Sequence, residues 1–300
     1  MNALFEQSSS SWVRYDQYEL KKARDGQLYV TPAPDAKPQV YNLLKNSEQM
    51  VLDALNIGML LMGRKPQNQI RQSVMDFISC YGLLGLMTAL PTTPNFVNYK
   101  AVYLLKNGFI KEEGMLIEDY LMLFFPFDKP RLAVKGDTGW SLDVDRDMFA
   151  VTMTFADGPL GMNISFQREY AERYDWILQQ FKDWAFILTS SIFYYSGERI
   201  SEATRNVMRT SMAAFDGIAP TYHLALYDKP TMVWNFHSLM LGIQIMFSLM
   251  LTDADKPLRL CKQCSKVFIA QSDAAEFCSS ECKKKFDIYK IRKGIRRLKL

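Results

Sequence analysis

The chain has 300 residues, 48% of them hydrophobic and 23% charged, the proportions of a soluble globular protein with a sizeable core. This composition excludes a disordered polyelectrolyte and a repetitive fibre. The net charge of +4 hides an asymmetry: residues 256–300 carry 13 Lys/Arg against 4 Asp/Glu, a balance of +9, while residues 1–255 carry 23 against 28, a balance of −5.

The opening "MNALFEQSSSSWVRYDQYEL" lacks the positive start and apolar run of a secretory signal, so the expected location is the cytoplasm. The first 45 residues read as an irregular arm: a short strand-like piece at Leu28–Thr31, then Pro32, Pro34 and Pro38. Three-to-four spacing of Met50, Ala54, Leu55, Met59 and Met62 predicts a helix over Ser47–Gly63. Further helices are expected over Gln69–Leu90, Asn98–Lys106 and Glu112–Phe124. "MFAVTMTF" and "MNISF" alternate apolar and polar residues around the turn sequence "ADGPLG", which predicts a β-hairpin near 149–166. Helices should follow over Arg168–Tyr195, Ser201–Phe215 and Thr231–Leu251. The most apolar window, Trp234–Leu251, contains His237 and Gln244 and reads as a core helix, too polar to span a membrane. The expected fold is therefore mainly α with a small β-hairpin: a helical body over residues 1–252 and a separate module over 253–300, joined at "LTDADKP".

That module holds four of the five cysteines. Cys261 and Cys264 are two residues apart, and a C-x2-C loop turns both sulfurs toward one ion. Cys278 and Cys282 stand at i and i+4, on one face of a helix. Ser279, Ser280 and Glu281 suit that helix's first turn, where hydroxyls and carboxylates meet unpaired N–H groups. A knuckle, a short hairpin and a helix donating the last ligands make a treble-clef-like finger, with Phe268 and Phe277 as its small core. In a reducing compartment the expected cofactor is one structural zinc; four cysteines also suit an iron–sulfur centre. Four thiolates close the coordination shell, so the metal would stabilise rather than catalyse.

After Cys282 runs "KKKFDIYKIRKGIRRLKL". Ile288, Ile291, Ile295 and Leu298 recur at intervals of 3, 4 and 3, an apolar seam expected to dock on the body. The basic side is read as a phosphate-binding face, carried by Lys283, Lys284, Lys285, Arg292, Lys293, Arg296 and Arg297. The other reading is a solvated charged face on a module that clamps the chain or binds a protein, as in phage defence or mobile-element biology. A protein partner or a homodimer is also compatible with the chain; a membrane is not expected.

The residues "PLRLCKQCSKVFIA" and "EFCSSEC", with Cys261, Cys264, Phe268, Cys278 and Cys282, resemble the bacterial CGNR-type zinc-finger proteins and related bacterial proteins with a helical body and a terminal finger. "DGQLYVTPAPDAKPQVYN" also looks like the opening of such proteins. Lys283, Lys284 and Lys285 stand where the family has Gly-Asn-Arg after its last cysteine. The resemblance implies a transcriptional regulator whose finger binds DNA.

No pattern of a known catalytic site appears: no G-x-S-x-G, phosphate loop or dinucleotide fingerprint. His223 and His237 have no metal spacing and read as structural. Asp143, Asp145 and Asp147 read as a solvated loop, and Cys80 as a small buried hydrophobe. The chain is therefore not expected to be an enzyme.

Overall fold

The computed structural model describes residues 8–89, 101–104, 107–127, 164–196, 200–215, 219–272 and 274–297. Helix makes up about 48% and strand 21%, so the architecture is mixed α/β. The strands are short and scattered through five small sheets among the described residues.

The arm expected to be irregular supplies five of these strands: β1 (Ser8–Ser9), β2 (Ser11–Tyr15), β3 (Tyr18–Lys22), β4 (Leu28–Pro32) and β5 (Pro38–Asn42). β2 pairs antiparallel with β5, setting Trp12 opposite Tyr41, and β3 pairs antiparallel with β4. Pro32 and Pro38 occupy strand ends, where a missing N–H costs the ladder least. Trp12, Val13 and Tyr15 are buried. This burial stabilises strands too short to hold alone. Asn42 then caps a 3-10 turn at Leu43–Asn46 by accepting from the Leu44 N–H.

Helices α1 (Ser47–Met62) and α2 (Gln67–Tyr81) follow. A tight turn with Gly82 at φ 92° and Gly85 at φ 72° leads into the short α3 (Leu86–Ala89). The segment expected to be helical from Asn98 instead contains β6 (Ala101–Tyr103), paired with β7 (Gly114–Leu116). Asn107 Oδ1 accepts from the Phe109 and Ile110 N–H groups, so the Asn-Gly at 107–108 folds the chain back. Among the described residues, helix in this region is confined to α4 (Ile117–Met122).

The first arm of the expected hairpin, and the second as far as Asn163, lie outside the described residues, as do Asp143–Asp147. The described part of the second arm is helical rather than extended: α5 (Ile164–Glu169) stacks Phe166 on Tyr170 with ring centroids 5.1 Å apart. Four-residue spacing of two large aromatics suits one helix face, and burial of both decides the outcome. The long helix α6 begins only at Tyr174 and runs to Tyr194, because Glu172–Arg173 forms β8 on the edge of β4. Helix α7 (Glu202–Ala213) is capped by Ser201.

Residues 231–251 divide into strand and helix. β9 (Thr221–Leu226) and β10 (Pro230–Asn235) form a hairpin, and α8 (Leu239–Thr252) starts at a Ser238 cap. His237 has φ 60°, outside the right-handed helical region, so a helix cannot run through it. β11 (Leu258–Leu260), β12 (Val267–Ile269) and α9 (Ser280–Arg297) complete the chain.

One large core joins these parts, from Trp12 and Val30 through α1, α2, α6 and α8 to Leu258 and Val267. Its axis is the packing of α1 on α6, the most extensive helix–helix contact described. A Cβ added to Gly58 would lie 2.1 Å from the Phe181 carbonyl oxygen and 2.5 Å from the Ala185 Cβ. A buried carboxylate fastens the neighbouring turn: Glu172 accepts from Leu84 N–H at 2.9 Å, Leu86 N–H at 2.8 Å and Tyr170 O–H at 2.8 Å. Burial pushes the Glu172 carboxyl above its ordinary pKa, and these donors pull it back.

Gly58→Ala should therefore destabilise the fold by about 1–3 kcal/mol in urea unfolding, the cost of overpacking outweighing the helix propensity of alanine. A Cβ at Gly108 meets nothing within 4 Å, so Gly108→Ala should stay within about 0.5 kcal/mol of the parent. Equal stabilities for the two variants would rule out the close approach as a constraint.

Candidate metal centre

The C-terminal module begins with an antiparallel ribbon in which Leu258 faces Ile269 and Leu260 faces Val267. Between the strands the chain makes a knuckle. The Cys261 N–H donates to the Lys266 carbonyl and the Ser265 N–H to the Cys261 carbonyl, both at 2.9 Å, with Ser265 at φ 59°. This fold-back places Cys261 and Cys264 side by side. The Lys262 N–H donates to the Glu276 carbonyl at 3.0 Å, drawing the segment bearing Cys278 against the knuckle. Ser279 Oγ then accepts from the Cys282 N–H at 3.2 Å and satisfies a free donor in the first turn of α9. Phe277 packs on Phe286 with centroids 5.1 Å apart, closing the module from the helix side, while Phe268 is half-buried on the ribbon.

These local rules bring together the four cysteines expected from their spacing. The sulfurs of Cys261, Cys264, Cys278 and Cys282 all lie within 4.8 Å of one another. Cys278 Sγ is 3.6 Å from both Cys264 Sγ and Cys282 Sγ. A tetrahedral ion with metal–sulfur bonds of about 2.3 Å sets its sulfurs about 3.8 Å apart. The four residues therefore fit a single ion. A multi-iron cluster inserts its own irons and sulfides between the thiolates and needs a wider cage.

Cys261 is buried, Cys282 half-buried, and Cys264 and Cys278 exposed. Burial alone would raise the Cys261 thiol, but the N–H groups of Cys278, Cys264 and Gln263 outweigh it and bring the pKa down to about 6. Cys278 is pushed up to about 12, by desolvation and then by its hydrogen bonds to the other thiols. Four adjacent thiolates need a cation among them, because like charges so close cannot all ionise unaided.

The ribbon is fixed to the body by one side chain that the sequence did not single out. Asn56, on α1, accepts from the Val267 N–H at 2.8 Å and donates to the Val267 carbonyl at 3.3 Å. It completes the strand edge as a neighbouring strand would. The signal available in sequence is an amide in the apolar second half of the helix, IGMLLM following it; its partner is 211 residues away. A cleft of about 680 Å³ opens beside this joint, lined by Asp53 and Leu60 of α1, by Phe77 and Cys80 of α2, and by Cys264 and Lys266 of the knuckle. Cys80, expected to be buried, is exposed here, since the last turn of α2 buries Phe77 and Ile78 instead.

Lys283, Lys284 and Lys285 are exposed on α9 directly after the last cysteine. Lys285 pairs with Glu281 at 2.7 Å, one turn back. Arg292, Lys293, Arg296 and Arg297 continue the helix; their side chains lie outside the described residues. The apolar seam does not dock as expected in its described part: Ile288 is 50% and Ile291 62% exposed. The ribbon meets the body: Leu258 and Val267 join the main core. His223 lies exposed on β9 and His237 in the turn before α8. Neither joins the cysteine cluster.

No family model, curated protein or solved structure matches the chain. Among the described residues, no helix is long and apolar enough to cross a membrane.

The full chain should carry one ion per molecule in a four-sulfur shell, read by elemental analysis and X-ray absorption. Cys261→Ser should abolish it and Cys80→Ser should not. Thiols regain their protons as pH falls, so acidification should release the ion. Asn56→Ala should retain the metal but cost about 1–3 kcal/mol of stability, since it strands the buried polar groups of Val267.

Proposed function

We propose that this is a nucleic-acid-binding protein, a transcriptional regulator with DNA as its expected target. In this reading a treble-clef-like module, held by one structural zinc, presents a basic helix to phosphates. The observation that carries it is the placement of Lys283, Lys284 and Lys285: exposed, and set by the four-cysteine site at the start of α9. Among the described residues, Lys262 pairs with Glu276 and Lys285 with Glu281, both within the module. The +9 balance of residues 256–300 supplies the counterion release that drives phosphate binding. The closed thiolate shell favours a structural metal, and the module's few buried apolar groups need that added folding energy.

A second reading rests on the exposed Ile288, Tyr289 and Ile291 of α9. Apolar side chains on a helix surface suit a protein groove, and the finger would then serve as a clamp for a protein-binding helix.

The test is binding to pooled duplex DNA and RNA across a salt series. Affinity should fall steeply with salt. Replacing Lys283, Lys284 and Lys285 together by Gln should reduce the log–log slope by about 3 while the metal content stays unchanged. Absence of binding at low salt, or a slope indifferent to the three lysines, would remove the nucleic-acid reading and leave the protein-binding one.

A further inference from the structure

The three-stranded sheet of β1, β10 and β9 has strand order β1-β10-β9, so among the described residues one long side of β9 is an edge. The register of the hairpin places Tyr222 opposite Trp234, Leu224 opposite Met232, and Leu226 opposite Pro230. Opposed residues share a face, so six apolar side chains form one surface. Its β9 half is open to solvent: Tyr222 is 62%, Leu224 71% and Leu226 86% exposed. Scattered apolar residues are normal on a surface, but an ordered band beside an open edge marks an interaction site.

Edge strands of soluble proteins are ordinarily protected by lysines, prolines, bulges or shortness. β9, "TYHLAL", has six residues and neither a charge nor a proline, and it pairs with β10 without a bulge. On the opposite side of the sheet, β1 pairs parallel with Met232 and Val233 of β10.

We propose that β9 pairs antiparallel with β9 of a second copy of this chain, forming a two-fold dimer with a continuous six-stranded sheet. An identical strand is the occupant the edge suits, because with no charged residue in β9 no like charges meet when the strand faces itself. The register follows from face matching: residues of one parity must oppose residues of the same parity, or the apolar band would meet Thr221, His223 and Ala225. A two-fold axis at Leu224 satisfies this. It sets Leu224 against Leu224 and Tyr222 against Leu226, whereas an axis at His223 would bring two imidazoles together. Such a contact is isologous and closes on itself. The dimer would carry two cysteine modules, but the proposal does not depend on what they bind.

The experiment is sedimentation equilibrium of the full metal-loaded chain over about a hundredfold range of concentration, without nucleic acid. The parent should be a reversible dimer. Leu224→Lys and Leu224→Glu should each weaken association at least about tenfold, because each places like charges across the axis. An equimolar mixture of the two should regain the dimer through opposite charges at that position. Regain in the mixture separates loss of the interface from loss of the fold. A monomeric parent at every concentration, undiminished dimers in both single variants, or no regain on mixing would each overturn the proposal. None of these outcomes bears on phosphate binding, so failure here is distinguishable from failure of the nucleic-acid reading.

Discussion

The contact between α1 and α6 at Gly58 sets the geometry of the whole molecule. A hydrogen in place of a side chain lets the α6 backbone approach where a Cβ would collide with the Phe181 carbonyl. With the two helices so close, the remaining faces of α1 are pinned. One packs against α2, another against α8, and the third, through Asn56, grips the ribbon edge at Val267. A lateral shift of α1 would disturb the core and move the metal module with it. Glu172 does a similar service beside it. Its buried oxygens gather the Leu84 and Leu86 amides and hold the turn between α2 and α3 against the core.

The metal module shows two stabilising effects divided between two sides. Toward the body, Leu258 and Val267 bury apolar surface in the common core, and the Asn56 amide satisfies the ribbon's edge. Away from it, the module has little to bury beyond the Phe277–Phe286 pair. There the four sulfurs converge, and a bound ion would tie the knuckle to the first turn of α9. The helix is thus anchored at its start and exposed along its described length. That arrangement suits a projecting contact element better than an internal strut.

How much could be read in advance depended on the range of the interactions involved. The helices at 47–62, 202–213 and 174–194 were recognisable because their periodicity is local and long enough to repeat. The short strands were not. β8 has two residues and exists because β4, some 140 positions earlier, offers it an edge. The Asn-Gly turn at 107–108 lies in the gap between two expected helices, where it joins two strands instead. Phe166 and Tyr170 carried both an alternating and a four-residue pattern, and stacking in the core decided for helix. Around residues 230–252, hydrophobicity alone could not separate a strand from the helix after it; the pairing of β10 with β9 and the positive φ of His237 did.

The four cysteines were legible as one site because C-x2-C and an i, i+4 pair are local geometries, complete within a few residues of backbone. The charge asymmetry and the basic character of the last helix were legible for the same reason, since charge is a property of residue order. Asn56 as the joint between body and ribbon, the exposed Cys80, the exposed Ile288 and Ile291 of α9 and the exposed apolar residues of β9 were decided only by tertiary structure. Each depends on which surfaces remain after distant segments have packed. Burial is settled by the whole chain at once, whereas spacing is settled by neighbours.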